Sequence, residues 1–126
     1  MKVGIDLGGS HIAIGVVDSR GVIIEKIEKR LKNAEKRTIE KSIEEYIIEN
    51  AKLLMKKYKI SEIGIAIPGT VNDDKVIKSV NLGLENYEIV KKLKIYKEKG
   101  LELQGLEDYT GSKIKVVRQE NLQDKP

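Results

Sequence analysis

The sequence predicts an α/β fold, a mixed five-stranded sheet with helices packed on it. Three observations lead there. Before residue 31 the chain carries three short β-branched runs parted by glycine turns. One long amphipathic stretch follows, with apolar residues at three- and four-residue steps. Two further strand-like runs then flank a second helical one, so the order is β-β-β-α-β-α-β. Strand–helix–strand connections favour right-handed crossovers and parallel pairing. The first, fourth and fifth strands are therefore expected to be parallel, with the second and third added as an antiparallel edge.

Met1–Leu7 reads as the first strand and His11–Asp18 as the second, joined by a Gly8-Gly9 hairpin turn. The turn "DSRG" at 18–21 leads into a third strand, Val22 to Arg30. A helix is expected over 35–58, where Ile39, Ile43, Ile47, Ala51, Leu54, Met55 and Tyr58 form one apolar face and Lys and Glu fill the other side. "SEIGIAIP" at 61–68 is the fourth strand, ended by Pro68-Gly69. Residues 72–83 read as a turn, a short extended piece and a loop. A second helix is expected over 86–98, with Ile89, Val90, Leu93 and Tyr96 inward and Gly100 ending it. Residues 100–112 carry three glycines and no period, and "KIKVV" at 113–117 is the fifth strand.

At 126 residues the chain has the size of one ordinary domain, able to bury about two-thirds of its surface. Aromatic residues are 4%, all of them Tyr, so the core must be aliphatic and Ile dominates it. Heavy Ile, Lys and Glu use fits either a hot-growing organism or an AT-rich genome. With no Cys, disulfides, thiol catalysis and thiolate zinc sites are excluded, and the single His excludes a multi-histidine metal site. Residues 1–5 lack the basic and apolar regions of a signal peptide, and no apolar run approaches about 18 residues. The expected location is the cytoplasm, with no membrane association. The net charge of +4 is spread among acids rather than gathered into an aromatic-lined patch, which argues against nucleic acid as a partner. The densest basic run, "KKLKIYKEK" at 91–99, reads as a solvated helix face.

Four stretches bear polar or glycine-rich chemistry. "DLGGSH" at 6–11 is not a P-loop, having no Gly-Lys-Ser/Thr and no following helix, nor a dinucleotide fingerprint. Either it is a plain hairpin turn, or its N–H groups form a nest for an anion, with glycine required because a side chain would hold the anion away. Asp6, ending the first strand, could hold Mg²⁺ directly or through water. "GIAIPGTVN" at 64–72 is either a tight turn or backbone exposed at the carboxyl end of a buried strand, where open α/β sheets bind ligands. Asn81 in "VNLG" is either a turn residue or an amide able to donate to and accept from a sugar hydroxyl. "RQEN" at 118–121 puts a carboxylate and an amide after the last strand.

The order of these stretches resembles the amino-terminal domain of ROK-family sugar kinases, the bacterial glucokinase and fructokinase group. That family opens with Asp-x-Gly-Gly-Thr-Lys, then five or six residues, a hydrophobic residue and Asp-x-x-Gly; here the stretch is "DLGGSHIAIGVVDSRG". A Gly-x-x-x-Pro-Gly turn follows the first long helix, here "GIAIPG", and an Asn-Leu loop follows that, here "VNLG". Of the family's Glu-Asn-Asp-Ala segment only Glu120-Asn121 stands. The resemblance covers residues 1 to about 95; each motif alone has low specificity, and their order and spacing together carry it.

The resemblance implies a ribonuclease H-like, actin-like domain that forms half of a two-domain, ATP-dependent hexose kinase. Carried over residue by residue, Asp6, Gly8, Gly9, Ser10 and His11 would face the ATP phosphates and Mg²⁺. Gly69, Asn81, Glu120 and Asn121 would line the sugar. The departures are equally specific. His11 replaces the family's Lys, and an imidazole carries no fixed charge at neutral pH. Leu122 stands at the position of the family's catalytic Asp, and the nearest substitute is Asp124. Residues 97–112 look like extra sequence. The expectation is therefore a single domain over 1–126 without the family's second domain, its zinc motif or the terminal helix that returns onto this domain. It would be inactive alone, with no zinc, and either a homodimer or paired with a separate chain supplying the missing half. The alternative is a non-catalytic interaction or regulatory module that keeps the fold. A ROK-type repressor is not expected, because those carry a helix-turn-helix ahead of Asp-x-Gly-Gly and here Met1 begins the strand.

Overall fold

The computed structural model describes residues 1–8, 11–31, 38–72, 74–95 and 113–118. Strands β1 (Lys2–Leu7), β2 (His11–Val17) and β3 (Ile23–Arg30) form the antiparallel opening, followed by helix α1 (Ile39–Lys57) and strand β4 (Glu62–Ile67). Short strands β5 (Thr70–Asn72), β6 (Lys75–Ser79) and β7 (Leu84–Tyr87) come next, then helix α2 (Ile89–Ile95) and strand β8 (Lys113–Arg118). The main sheet has the order β3-β2-β1-β4-β8. β1–β4 and β4–β8 are parallel, while β1–β2 and β2–β3 are antiparallel. This is the five-stranded mixed sheet that the sequence predicts.

Strict alternation sends Val3, Ile5 and Leu7 of β1 to the same core as Ile12, Ile14 and Val16 of β2 and Ile63, Ile65 and Ile67 of β4. α1 lays Ile43, Ile47, Ala51 and Leu54 on that core, with Ile39, Met55 and Tyr58 packed at its margin, and α2 adds Ile89, Val90 and Leu93. Lys91, Lys92 and Lys94 are exposed, as a solvated face requires, while residues 96–99 of the basic run lie outside the described residues. Among the described residues, no helix is long and apolar enough to cross a membrane.

Local chemistry fixes the boundaries. At 18–21, the Asp18 carboxylate accepts from the backbone N–H of Arg20 and Val22 at 2.9 and 3.0 Å, and Gly21 supplies the left-handed φ of 81°. Those bonds, that of Val22 foremost, hold Asp18 below the usual carboxylate range. α1 begins at Ile39 because Thr38 caps it, its hydroxyl accepting from the Lys41 N–H at 3.2 Å. The expected start at residue 35 lies outside the described residues. At the far end Lys57 and the Tyr58 hydroxyl both reach Glu25 of β3 at 3.0 Å, and Lys57 above all lowers the Glu25 carboxyl.

Three expectations need correction. Residues 70–87 are a three-stranded sheet of order β5-β6-β7, where the sequence suggests a turn, one extended piece and a loop. Val76, Ser79, Leu84 and Tyr87 are buried there, so this layer packs onto the core rather than lying in solvent. The second helix starts at Ile89, not 86, because Leu84–Tyr87 is used in pairing with β6. Finally, the polar side of α1 is not wholly exposed to solvent: Glu44 is 3% exposed, and its Oε2 accepts from the Tyr87 hydroxyl at 2.6 Å. Burial, then this bond to the carboxylate, pushes the Tyr87 phenol far up, so it remains a donor.

The Glu44–Tyr87 bond pins the small sheet to α1. Tyr87→Phe leaves the Glu44 carboxylate buried without that donor, an expected loss of about 1–3 kcal/mol, read from urea unfolding at fixed pH. An unchanged midpoint would show that the bond contributes no net stability.

Candidate functional site

Parallel pairing brings the carboxyl ends of β1, β4 and β8 to one edge. Ile5 pairs with Ile65, Asp6 with Ala66, and Ile67 with Arg118. Ligands of open α/β sheets bind at such an edge. Asp6 is exposed there, on the face of β1 opposite the buried Ile5 and Leu7. The chain then turns: the Gly8 N–H donates to the His11 carbonyl at 2.7 Å, closing the β1–β2 hairpin. That N–H is thereby taken, and Gly8 acts here as a turn residue. Gly9 and Ser10 lie outside the described residues, while His11 is exposed at the start of β2.

The β4 turn stands beside it. Gly69 has φ +146°, and a Cβ there would overlap the Lys78 carbonyl oxygen and come within 3.0 Å of the Ser79 Cα. Only glycine lets the turn lie against β6, a packing reason for a residue that the sequence marks for ligand contact. Asn81 is exposed in the β6–β7 turn, where the Gly83 N–H donates to the Val80 carbonyl at 3.2 Å. Glu120, Asn121, Leu122 and Asp124 lie outside the described residues. The structure thus places Asp6, Gly8 and Gly69 at one sheet edge, on two adjacent parallel strands and the turns that follow them.

Below Asp6 the sheet face turned away from α1 is an open trough of about 470 Å³. Its floor could not be read from single strands, because it is built across them. One row runs Glu28–Ala13–Asp6–Ala66 and the next Lys26–Gly15–Gly4–Gly64–Lys115. Lys26 Nζ lies 2.8 Å from Glu28 Oε1. That bond is the main cause holding the Lys26 ammonium up and the Glu28 carboxyl down, with Asp6 adding to the first effect and His11 to the second. Among the described residues, no group of three His, Cys, Asp or Glu could hold a metal ion.

A family profile described as the ROK family matches residues 2–104. No curated protein matches the chain. Solved structures do. The ROK family glucokinase from Streptomyces griseus, in complex with glucose and AMPPNP, aligns at 22% identity and TM-score 0.67 over 93% of this chain and 32% of its own. The inorganic polyphosphate/ATP-glucomannokinase from Arthrobacter sp. strain KM aligns at 20% identity and TM-score 0.66 over 93% of this chain and 43% of its own. A ROK family transcriptional regulator, a homolog of the E. coli MLC protein, aligns at 13% identity and TM-score 0.65 over 93% and 27%. At these identities the likeness is one of fold, the actin-like fold that the sequence leads one to expect. The chain spans less than half the length of each of these proteins.

The Gly69 turn gives a contrast that can be measured. Gly69→Ala forces a Cβ into the β6 backbone and is expected to destabilise by about 1–3 kcal/mol or more. Gly64→Ala, whose Cβ meets nothing within 4 Å, is expected to stabilise by about 0.5–1 kcal/mol. Thermal unfolding of the two variants side by side checks the order.

Proposed function

The chain belongs to the ROK family, and on that premise we propose that it is the phosphate- and sugar-facing amino-terminal domain of a kinase that transfers the γ-phosphoryl group of ATP to a hexose. The observation that carries the reading is the shared carboxyl edge of β1, β4 and β8, with Asp6 at the end of one strand and the Pro68-Gly69 turn after the next. Phosphoryl transfer is mainly positioning and charge stabilisation, and an edge of this kind can supply both.

The residues present fit ATP and Mg²⁺. Asp6 is an exposed carboxylate, the hard oxygen ligand that Mg²⁺ takes together with phosphate oxygens and water. Its row neighbours on the adjoining strands, Ala13 and Ala66, are small. ATP supplies the phosphoryl group, and Mg²⁺ neutralises part of its charge. In this reading Asp6 orients the cation, the backbone of Gly9 and Ser10 faces the phosphates, and His11 flanks them. The Gly69 backbone, the Asn81 amide, Glu120 and Asn121 position the sugar hydroxyls. The opposite wall of the cleft, with the adenine contacts, comes from polypeptide beyond these 126 residues.

The same reading makes this chain alone catalytically silent. A sugar hydroxyl needs a base, typically worth about 10²–10⁴ in rate, and Leu122 at the position of the family's base cannot accept a proton. The wild-type chain should bind ATP·Mg²⁺ weakly, with a Kd on the order of 1 mM. Asp6→Ala should weaken that binding at least about tenfold, and isothermal titration reads both. A coupled assay with glucose, mannose, fructose and N-acetylhexosamines should show ADP release at background. A flat wild-type titration would end the nucleotide reading, and turnover abolished by Asp6→Ala would make the chain a complete minimal kinase.

A further inference from the structure

β3 is an edge of the main sheet, eight residues long, paired with β2 along one side. A strand edge offers a row of backbone donors and acceptors to any second strand. Glutamate and lysine on such an edge ordinarily discourage pairing, because a partner's like charge would meet them. The order of charges in β3 removes that obstacle for one partner. Its central residues are Glu25, Lys26, Ile27, Glu28 and Lys29, a series whose signs invert when read backwards about Ile27.

We propose that two copies of this chain associate by antiparallel β3–β3′ pairing about a two-fold axis through Ile27. In that register Lys26 stands opposite Glu28 of the second copy and Glu25 opposite Lys29, and each pair occurs twice by symmetry. Opposite charges directly across an antiparallel pair stabilise it, and like charges destabilise it. The two nearest two-fold registers set Lys26 against Lys26, or Glu28 against Glu28. Charge therefore selects one register as well as one partner.

The structure supports each part. Lys26 and Glu28 lie on one face, exposed and already 2.8 Å apart within the strand. Adding the second copy turns the pair into an alternating square of four charges. On the other face Ile27 is half-buried against the core at the axis, and Lys29 lies over the Tyr46 ring. The register irregularity between β2 and β3 falls at Val16–Val17, beside Ile24. It lies outside the charge-matched centre, so Glu25 to Lys29 remains regular. Three of the seven exposed large apolar side chains among the described residues are Val22, Ile23 and Ile24. In the pair Ile24 falls beside the Arg30 stem of the second copy and Ile23 beside its Leu31, which removes apolar surface from water. Pairing over the regular stretch from Glu25 to Lys29 gives a seam about 16 Å long. Such a seam is smaller than a standard stable interface, so the expected Kd is on the order of 10⁻⁵ M.

The test is sedimentation velocity of the 126-residue chain up to about 500 μM, well above that Kd, with circular dichroism confirming the fold. Wild type should dimerise, and salt should weaken the dimer. Lys26→Glu and Glu28→Lys should each raise the Kd by about tenfold or more, since attraction at two symmetric pairs becomes repulsion. The double swap Lys26→Glu with Glu28→Lys restores opposite charges and should return the Kd to within about threefold of wild type. Should one single variant fail to fold, the other carries the same comparison. A wild-type monomer throughout the range overturns the proposal. So does a dimer indifferent to both single changes, which would place the interface elsewhere, and so does a double swap that remains monomeric while folded.

Discussion

Parallel pairing of β1 with β4 is the constraint on which the molecule depends. These strands are separated in sequence by two strands and a 19-residue helix, so a long loop must close before either gains from the other. The amphipathic face of α1 offsets that closure by burying Ile43, Ile47, Ala51 and Leu54 on the sheet. The amino ends are also tied. The Ser61 N–H donates to the Met1 carbonyl at 2.8 Å, and the charged terminus donates to the Lys59 carbonyl at 3.2 Å. With the starts fixed and the strands in register, their carboxyl ends come level. Asp6 and the Gly69 turn then share an edge without any direct contact being needed to bring them together.

The two faces of the sheet answer to different demands. The α1 face is packed with large aliphatic residues, as an interior must be. The other face carries glycine at Gly15, Gly4 and Gly64 on three adjacent strands, in one row. Glycine weakens a strand by roughly 0.5–1 kcal/mol relative to alanine, and three in a row are a substantial local loss. A Cβ at Gly4 or Gly64 would meet nothing within 4 Å, so the described residues do not require glycine there. Gly15 differs, because a Cβ there would lie 3.1 Å from the Glu25 carbonyl oxygen. One glycine of the row is thus explained by the β2–β3 contact, while the other two leave a depression that larger side chains would fill.

What the sequence could and could not show follows from the range of each signal. β1 to β4 and α1 were legible because their periods extend over six or more residues. The small sheet was not: its strands have three, five and four residues, too short for a period. Asn86 has a φ of 49° within the last of them. That sheet is held by burial of Val76, Leu84 and Tyr87 and by the Tyr87 bond to Glu44 of α1, which is tertiary information. Glu44 was hidden for the same reason, since its partner Tyr87 lies 43 residues away. The positions of Asp6 and Gly8 were legible because one ends a strand and the other opens the turn after it. Gly69 was singled out correctly as special, but its constraint is the backbone of β6. The charge order of β3 was present in the sequence throughout. It acquires meaning only when the topology shows that this strand is an edge.

The β3 edge and the carboxyl edge lie on different sides of the sheet, one lateral and one at the strand ends. Association along β3 therefore leaves Asp6 and the turns after β1 and β4 uncovered. A two-fold axis that makes the facing strands antiparallel stands perpendicular to the sheet, and it keeps α1 of both copies on the same side. The five strands of each copy would then join into one continuous sheet, with the carboxyl ends of β1 pointing in opposite directions in the two copies. The two sites sit at opposite ends of that sheet, each open to a further domain or ligand, and neither contributes a residue to the other. The Lys26–Glu28 pair, which lines the trough margin, is the physical link between them. Asp6 adds to the field that keeps Lys26 charged, after the larger effect of the Glu28 bond. The same charges that choose the partner thereby lie within electrostatic reach of the site.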